Sequence, residues 1–149
     1  MKLIIAAHGQ MAQEVVNSAN MVFGGIENAE AVTFVPGENA DDLKQKYQNC
    51  MTEGEDVLFL VDLFGGSPYN AAFQIAAQTE NTDVISGLSL PMLLDVVGIR
   101  ETYEEIRPWE VYDKLGKDTY IKSCRNLLNR QNKKKRRMNY NENQFMQDR

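Results

Sequence analysis

Val57-Leu58-Phe59-Leu60-Val61-Asp62-Leu63-Phe64-Gly65-Gly66-Ser67-Pro68 is the stretch that decides the fold. From Asp56 to Val61 the chain is apolar after its first residue. That is the pattern of a parallel strand buried on both faces, rather than one with a wet side. Asp62 to Gly66 then form a loop. Ser67 reads as a helix N-cap with Pro68 at the first helical position, where its missing N–H costs nothing. The helix is expected to run to about Gln78. A buried strand feeding a helix through a glycine loop is the repeating unit of an α/β sheet.

Working outward, the same unit recurs. Lys2–Ala7 reads as a first strand, and a helix follows from about Gln10 to Phe23, with Met11, Val15, Ala19 and Val22 as its buried stripe and Gly24-Gly25 as its stop. Ala31–Val35 reads as a second strand. Pro36-Gly37 turns the chain, and Asn39 caps a helix whose inner positions are Leu43, Tyr47 and Cys50 or Met51. Thr82–Ser86 reads as a fourth strand, Pro91–Gly98 as a short helix, and Pro108–Leu115 as the start of another. Thr119–Ser123 is a candidate antiparallel edge strand. The fold class is therefore α/β: a small, doubly wound, mostly parallel sheet of order 2-1-3-4 with helices on both faces.

In that order strands one and three are neighbours, and the winding direction switches between them. Ligands gather in the crevice at such a switch point. His8, the single histidine of the chain, ends strand one, and Asp62 ends strand three. The topology thus brings together two residues far apart in sequence. Histidine changes between nucleophile, acid and base near neutral pH, and a carboxylate can fix its tautomer and stabilise positive charge on the ring. Gly65, Gly66 and Ser67 lie just before a helix start, where backbone N–H groups and the helix dipole favour an anion. A phosphoryl group on His8 fits there. Met11, Leu63 and Phe64 read one by one as core or loop anchors; beside a reactive histidine, an exposed Leu-Phe pair also suits protein docking.

Composition narrows the classes. The 149 residues are 43% hydrophobic and 25% charged, as for a single water-exposed globular domain. No apolar run is long enough to span a bilayer, and the amino terminus does not read as an export signal. Cys50 and Cys124 are far apart and outside any CxxC pair, so neither a metal site nor a redox motif is expected. Neither a P-loop nor a GxGxxG fingerprint is present. Residues 1–128 carry 9 Lys/Arg against 19 Asp/Glu, while residues 129–149 carry 7 against 2. The acidic body should repel nucleic acid and attract basic partners. Two regions are expected: a domain over 1–128, and a basic polar tail over 129–149 that reads as loosely attached.

Ala7-His8-Gly9, Phe34-Val35-Pro36-Gly37-Glu38-Asn39-Ala40, the run from Val57 through Asp62 and Gly65-Gly66-Ser67-Pro68 to Ala72, and Gly87-Leu88-Ser89-Leu90-Pro91-Met92-Leu93 resemble, in order over about residues 1–125, the IIA component of the mannose-type sugar phosphotransferase system. The resemblance implies a cytoplasmic phosphocarrier of bacterial sugar uptake, an enzyme of the phosphotransferase kind that works through phosphohistidine. The active histidine maps on His8, the hydrogen-bonding aspartate on Asp62 and the phosphate-side serine on Ser67. The implied donor is the histidine-containing phosphocarrier HPr, and the acceptor a IIB protein serving a IIC/IID permease. The resemblance implies no metal or organic cofactor and a homodimer that exchanges a carboxyl-terminal strand, for which Thr119–Ser123 is the candidate. Ala7 stands where the family often has a hydroxyl residue, and Gln10 where some members have Trp. No IIB domain is visible, so IIB is expected as a separate polypeptide. A metal enzyme would need ligands beyond one histidine. A receiver domain would need an acidic pair after strand one. A binding or regulatory module of the same fold stays open.

Overall fold

A computed structural model of the chain describes residues 1–116 and, beyond them, only Lys134 and Met138. Met1–Gly116 form one compact unit, and Lys117–Arg149 fall in a second. The first unit contains β1 (Lys2–His8), α1 (Met11–Phe23), β2 (Ala29–Phe34), α2 (Ala40–Cys50), β3 (Val57–Val61), α3 (Ser67–Ala76), β4 (Thr82–Ser86), α4 (Leu90–Thr102) and α5 (Pro108–Lys114). All strand pairs are parallel and the order is β2-β1-β3-β4, as the pattern predicts. The candidate strand Thr119–Ser123 lies outside the described residues, as does most of the basic tail.

Every residue of β3 is buried, which explains its unbroken apolar run. On one face of the sheet Ile4, Ala6, Val32, Phe59 and Val61 pack with Leu43 and Tyr47 of α2 and Ala71, Ala72 and Ile75 of α3. The contacts of α1 are with β1, β2 and α4. Asn39 caps α2 as expected, accepting from the backbone of Asp41 and Asp42 while Asp42 reaches back to the Asn39 N–H. Cys50 is a packing residue: burial, and then its bond with Glu30, push its thiol pKa up to about 11, so little thiolate forms.

Three local readings need correction. The buried stripe of α1 is Ala12, Val16 and Ala19: Ala19 is buried as expected, Ala12 and Val16 lie one position away from the expected Met11 and Val15, and Met11 and Val22 turn outward. The α4 helix continues past Gly98 to Thr102, because Val96, Val97 and Ile99 are buried and packing overrides the low helix propensity of one glycine. The α3 helix ends at Ala76 rather than Gln78.

One buried polar contact ties the α2 and α3 layer together. The Tyr47 hydroxyl, on a fully buried side chain, donates to the Pro68 carbonyl at 3.0 Å. Burial, and then the charge of Asp62, hold its pKa above the ordinary phenol value, so it remains a donor. Tyr47→Phe removes this bond and leaves the Pro68 carbonyl to its helical partner, and should destabilise the protein by about 1 kcal/mol. Urea unfolding reads this directly, and an unchanged midpoint would contradict it.

Candidate active site

His8 is the last residue of β1 and lies beside Phe34, the last residue of β2. Gly9 follows with φ +62, a conformation glycine adopts without strain. Its N–H donates to the Phe34 carbonyl at 2.7 Å, so the chain turns away as soon as the histidine is placed. On the other side β1 pairs with β3, and Ala6 is opposite Val61. This register puts Asp62, the first residue beyond β3, within reach of His8.

One oxygen of Asp62 does most of the holding. Asp62 Oδ2 accepts from the His8 backbone N–H at 2.9 Å and lies 2.8 Å from His8 Nδ1. The other oxygen, Oδ1, accepts from the Leu63 N–H at 2.9 Å. A carboxylate in this position calls for a proton on Nδ1, which leaves the lone pair of the neutral ring on Nε2. The Asp62 side chain is 13% exposed and that of His8 46%, so the anchor is sheltered while the ring stays open to a partner.

Gly65, Gly66 and Ser67 complete the rim, but not as the expected cap. Gly66 is the N-cap of α3 and Ser67 its first helical residue. The Gly66 N–H closes a turn onto the Leu63 carbonyl, and the Gly66 carbonyl accepts the first helical bond from the Asn70 N–H at 2.9 Å. That acceptor role defines the N-cap and leaves Ser67 one step inside. The Ser67 hydroxyl has no hydrogen-bond partner among the described residues. Gly66 has an ordinary φ of −72, so its lack of a side chain is a matter of space: a Cβ there would sit 3.0 Å from His8 Cε1. Asn70 Nδ2 donates to the Gly65 carbonyl at 3.0 Å and braces the loop. The N–H groups of Ser67 and Tyr69 have no intrahelical acceptor, and Pro68 has none to offer, so the first turn presents donors suited to an anion.

Leu63 and Phe64 are 59% and 73% exposed on the loop just after Asp62, and Met11 is 40% exposed at the start of α1. None of the three is a core anchor. Phe64 packs against Tyr69, and Tyr69 stacks on Phe73, extending the apolar surface along α3. No cluster of three or more His, Cys, Asp or Glu side chains that could hold a metal occurs among the described residues. No helix among them is long and apolar enough to cross a membrane.

Residues 2–107 match the family described as PTS system fructose IIA component. The chain belongs to the mannose/fructose/sorbose family of phosphotransferase-system EIIA components. It is 41% identical over 102 residues to the fructose-specific EIIA component of Bacillus subtilis strain 168, a match covering 66% of this chain and 70% of that protein. It is 40% identical over 102 residues to the mannose-specific EIIAB component of Escherichia coli K12; the match covers 66% of this chain but only 32% of that longer protein. Among solved structures it resembles the phosphotransferase system component EIIA from Streptococcus agalactiae, with a TM-score of 0.70 and 29% identity over 76% of this chain and 87% of that one. This EIIA component therefore brings together His8, Asp62 and the Gly66-Ser67 turn, as the strand order predicts. The sequence reading missed Phe34 as a neighbour of the imidazole; only the register of β2 against β1 reveals it.

Proposed function

We propose that this EIIA component carries phosphoryl groups in sugar uptake, with His8 Nε2 as the acceptor from phospho-HPr and a separate IIB protein as the next recipient. The observation that carries the reading is the double contact of Asp62 Oδ2 with the Nδ1 and the backbone N–H of His8. In transfer, the Nε2 lone pair attacks phosphorus. The P–N bond of the donor breaks with its electron pair returning to the donor imidazole, while the Nδ1 proton stays with His8, shared with Asp62. The positive charge spread over the His8 ring is balanced by that carboxylate. The Ser67 hydroxyl and the first-turn N–H groups of α3 receive the phosphoryl oxygens. Transfer to IIB is the same sequence reversed.

Residues 1–128 act in this reading as the cytoplasmic carrier domain. A homodimer exchanging a carboxyl-terminal strand belongs to the same reading, and β2 and β4 are the two sheet edges among the described residues. Met11, Leu63 and Phe64 form the apolar part of the docking surface, while the acidic body draws a basic partner face. The rate of association with HPr should therefore fall as salt rises from low to physiological ionic strength; a stopped-flow rate insensitive to salt would remove electrostatic steering from the account.

The direct test is intact-protein mass after incubation with phosphoenolpyruvate, enzyme I and HPr, followed by addition of separately purified IIB. One acid-labile phosphoryl group, lost to IIB, is the expected result. No gain beside phosphorylated HPr would overturn the reading in favour of a regulatory member of the fold. Gly66→Ala provides a sharper geometric check. Its backbone tolerates alanine, but the new methyl group presses on the imidazole, and transfer should slow by about tenfold as the ring is displaced. A wild-type initial rate for that variant would show that the close approach is unimportant.

A further inference from the structure

We infer that Phe34 is a positioning residue for phosphoryl transfer, holding the His8 imidazole at the rotation from which Nε2 reacts. This rests on the proposed role of His8 and adds a residue to it. An imidazole has a broad, roughly two-fold χ2 preference, so the strand alone does not fix which way the ring faces. Asp62 holds Nδ1 through one hydrogen bond, about which the ring can still swing. Two neighbours flank it. Gly66 borders the Cε1 side, where an added Cβ would lie 3.0 Å from Cε1 and the ring would have to give by a few tenths of an ångström. Phe34 closes off another, with ring centroids 5.6 Å apart and planes at 71°, an edge-to-face contact of the kind aromatic pairs prefer.

Phe34 is itself well held. Its carbonyl accepts the Gly9 N–H, and it pairs with His8 in the β1–β2 register, so its backbone holds Gly9 while its ring lies against His8. Its side chain packs against the α2–α3 face of the core. The end of β2 is tied down by Lys46, whose ammonium donates to the Thr33 carbonyl at 2.9 Å and pairs with Glu38, and by Glu38, which accepts from the Val35 N–H. A rigid strand end carrying an aromatic ring against the reacting imidazole pre-organises the nucleophile.

The test measures single-turnover phosphoryl transfer from phospho-HPr over a range of donor concentrations, in wild type and in Phe34→Leu, Phe34→Ala and Phe34→Tyr, with His8→Ala as control. Phe34→Leu keeps apolar bulk without a ring, so it limits the loss of packing that Phe34→Ala brings. The expected maximal rate falls by about tenfold in the Leu variant with little change in the donor concentration at half-maximal rate, and the Tyr variant restores it. A maximal rate in Phe34→Leu equal to wild type would overturn the inference. So would a weakened donor affinity at unchanged maximal rate, which would make Phe34 a docking residue, or a Tyr variant as slow as the Leu variant. Phosphoryl uptake persisting in His8→Ala would instead overturn the acceptor role of His8 on which the inference stands.

Discussion

His8→Ala is expected to lose phosphoryl acceptance from phospho-HPr completely while retaining the fold. The chain has one histidine, so no second imidazole can take over. The side chain lies at the strand end and is 46% exposed, so its removal opens no core cavity. The strand stays anchored, because the residue 8 backbone N–H still has Asp62 Oδ2 as its acceptor and the Gly9 N–H still has the Phe34 carbonyl. Intact mass should show no added phosphoryl group, and circular dichroism should show a wild-type melting transition to within the small shift usual for surface substitutions. A variant that still gains an acid-labile phosphoryl group would place the acceptor elsewhere.

The second large effect belongs to Asp62. In Asp62→Asn one side-chain oxygen remains to accept from Nδ1, but the negative charge is gone, and an amide turned the other way presents a donor to the ring and favours the wrong tautomer. The buried side of the site thus loses the counter-charge to the ring at the moment phosphorus is bound. Transfer should slow on the order of 10²- to 10⁴-fold, the upper figure being the loss seen when the orienting carboxylate beside a catalytic imidazole is replaced by its amide. Rapid-quench kinetics with radiolabelled phospho-HPr measures this. Asp62→Ala should be no faster and less stable, since the N–H groups of His8 and Leu63 lose their side-chain acceptor. Wild-type transfer by Asp62→Asn would reduce Asp62 to a loop anchor.

Much of this site was legible before any coordinates. The apolar run Val57–Val61 identified a central strand, and the alternation of strands with helices set the order that makes β1 and β3 neighbours. His8 and Asp62 then followed from topology alone, because residues immediately beyond adjacent parallel strands must share a rim. The details that escaped depend on register and close packing. A helix period fixes how many residues are buried, but the phase of α1 was decided by which side chains are small enough to sit against the sheet: Ala19 is buried as expected, while Ala12 and Val16 take the places read for Met11 and Val15. Ser67 carries the chemistry of an N-cap, yet the turn from Leu63 to Gly66 uses up the preceding N–H and moves the cap to Gly66. Phe34 could be seen only as part of a familiar string. That it faces His8 follows from the pairing of β2 with β1, which depends on the length and path of α1 and its turns. Steric requirements at Gly66 were equally invisible, since a glycine near a helix start is usually read as conformational freedom.

In the proposed transfer the carboxylate of Asp62 keeps the proton on Nδ1, so Nε2 is the nucleophile. The single histidine makes this directly measurable, because every imidazole signal in the spectrum belongs to His8. Long-range ¹H–¹⁵N and ³¹P spectra of the ¹⁵N-histidine-labelled protein, before and after phosphorylation by HPr, should show Nδ1 protonated throughout and phosphorus bonded to Nε2. Phosphorus on Nδ1, or on no histidine nitrogen, would contradict the account at its foundation.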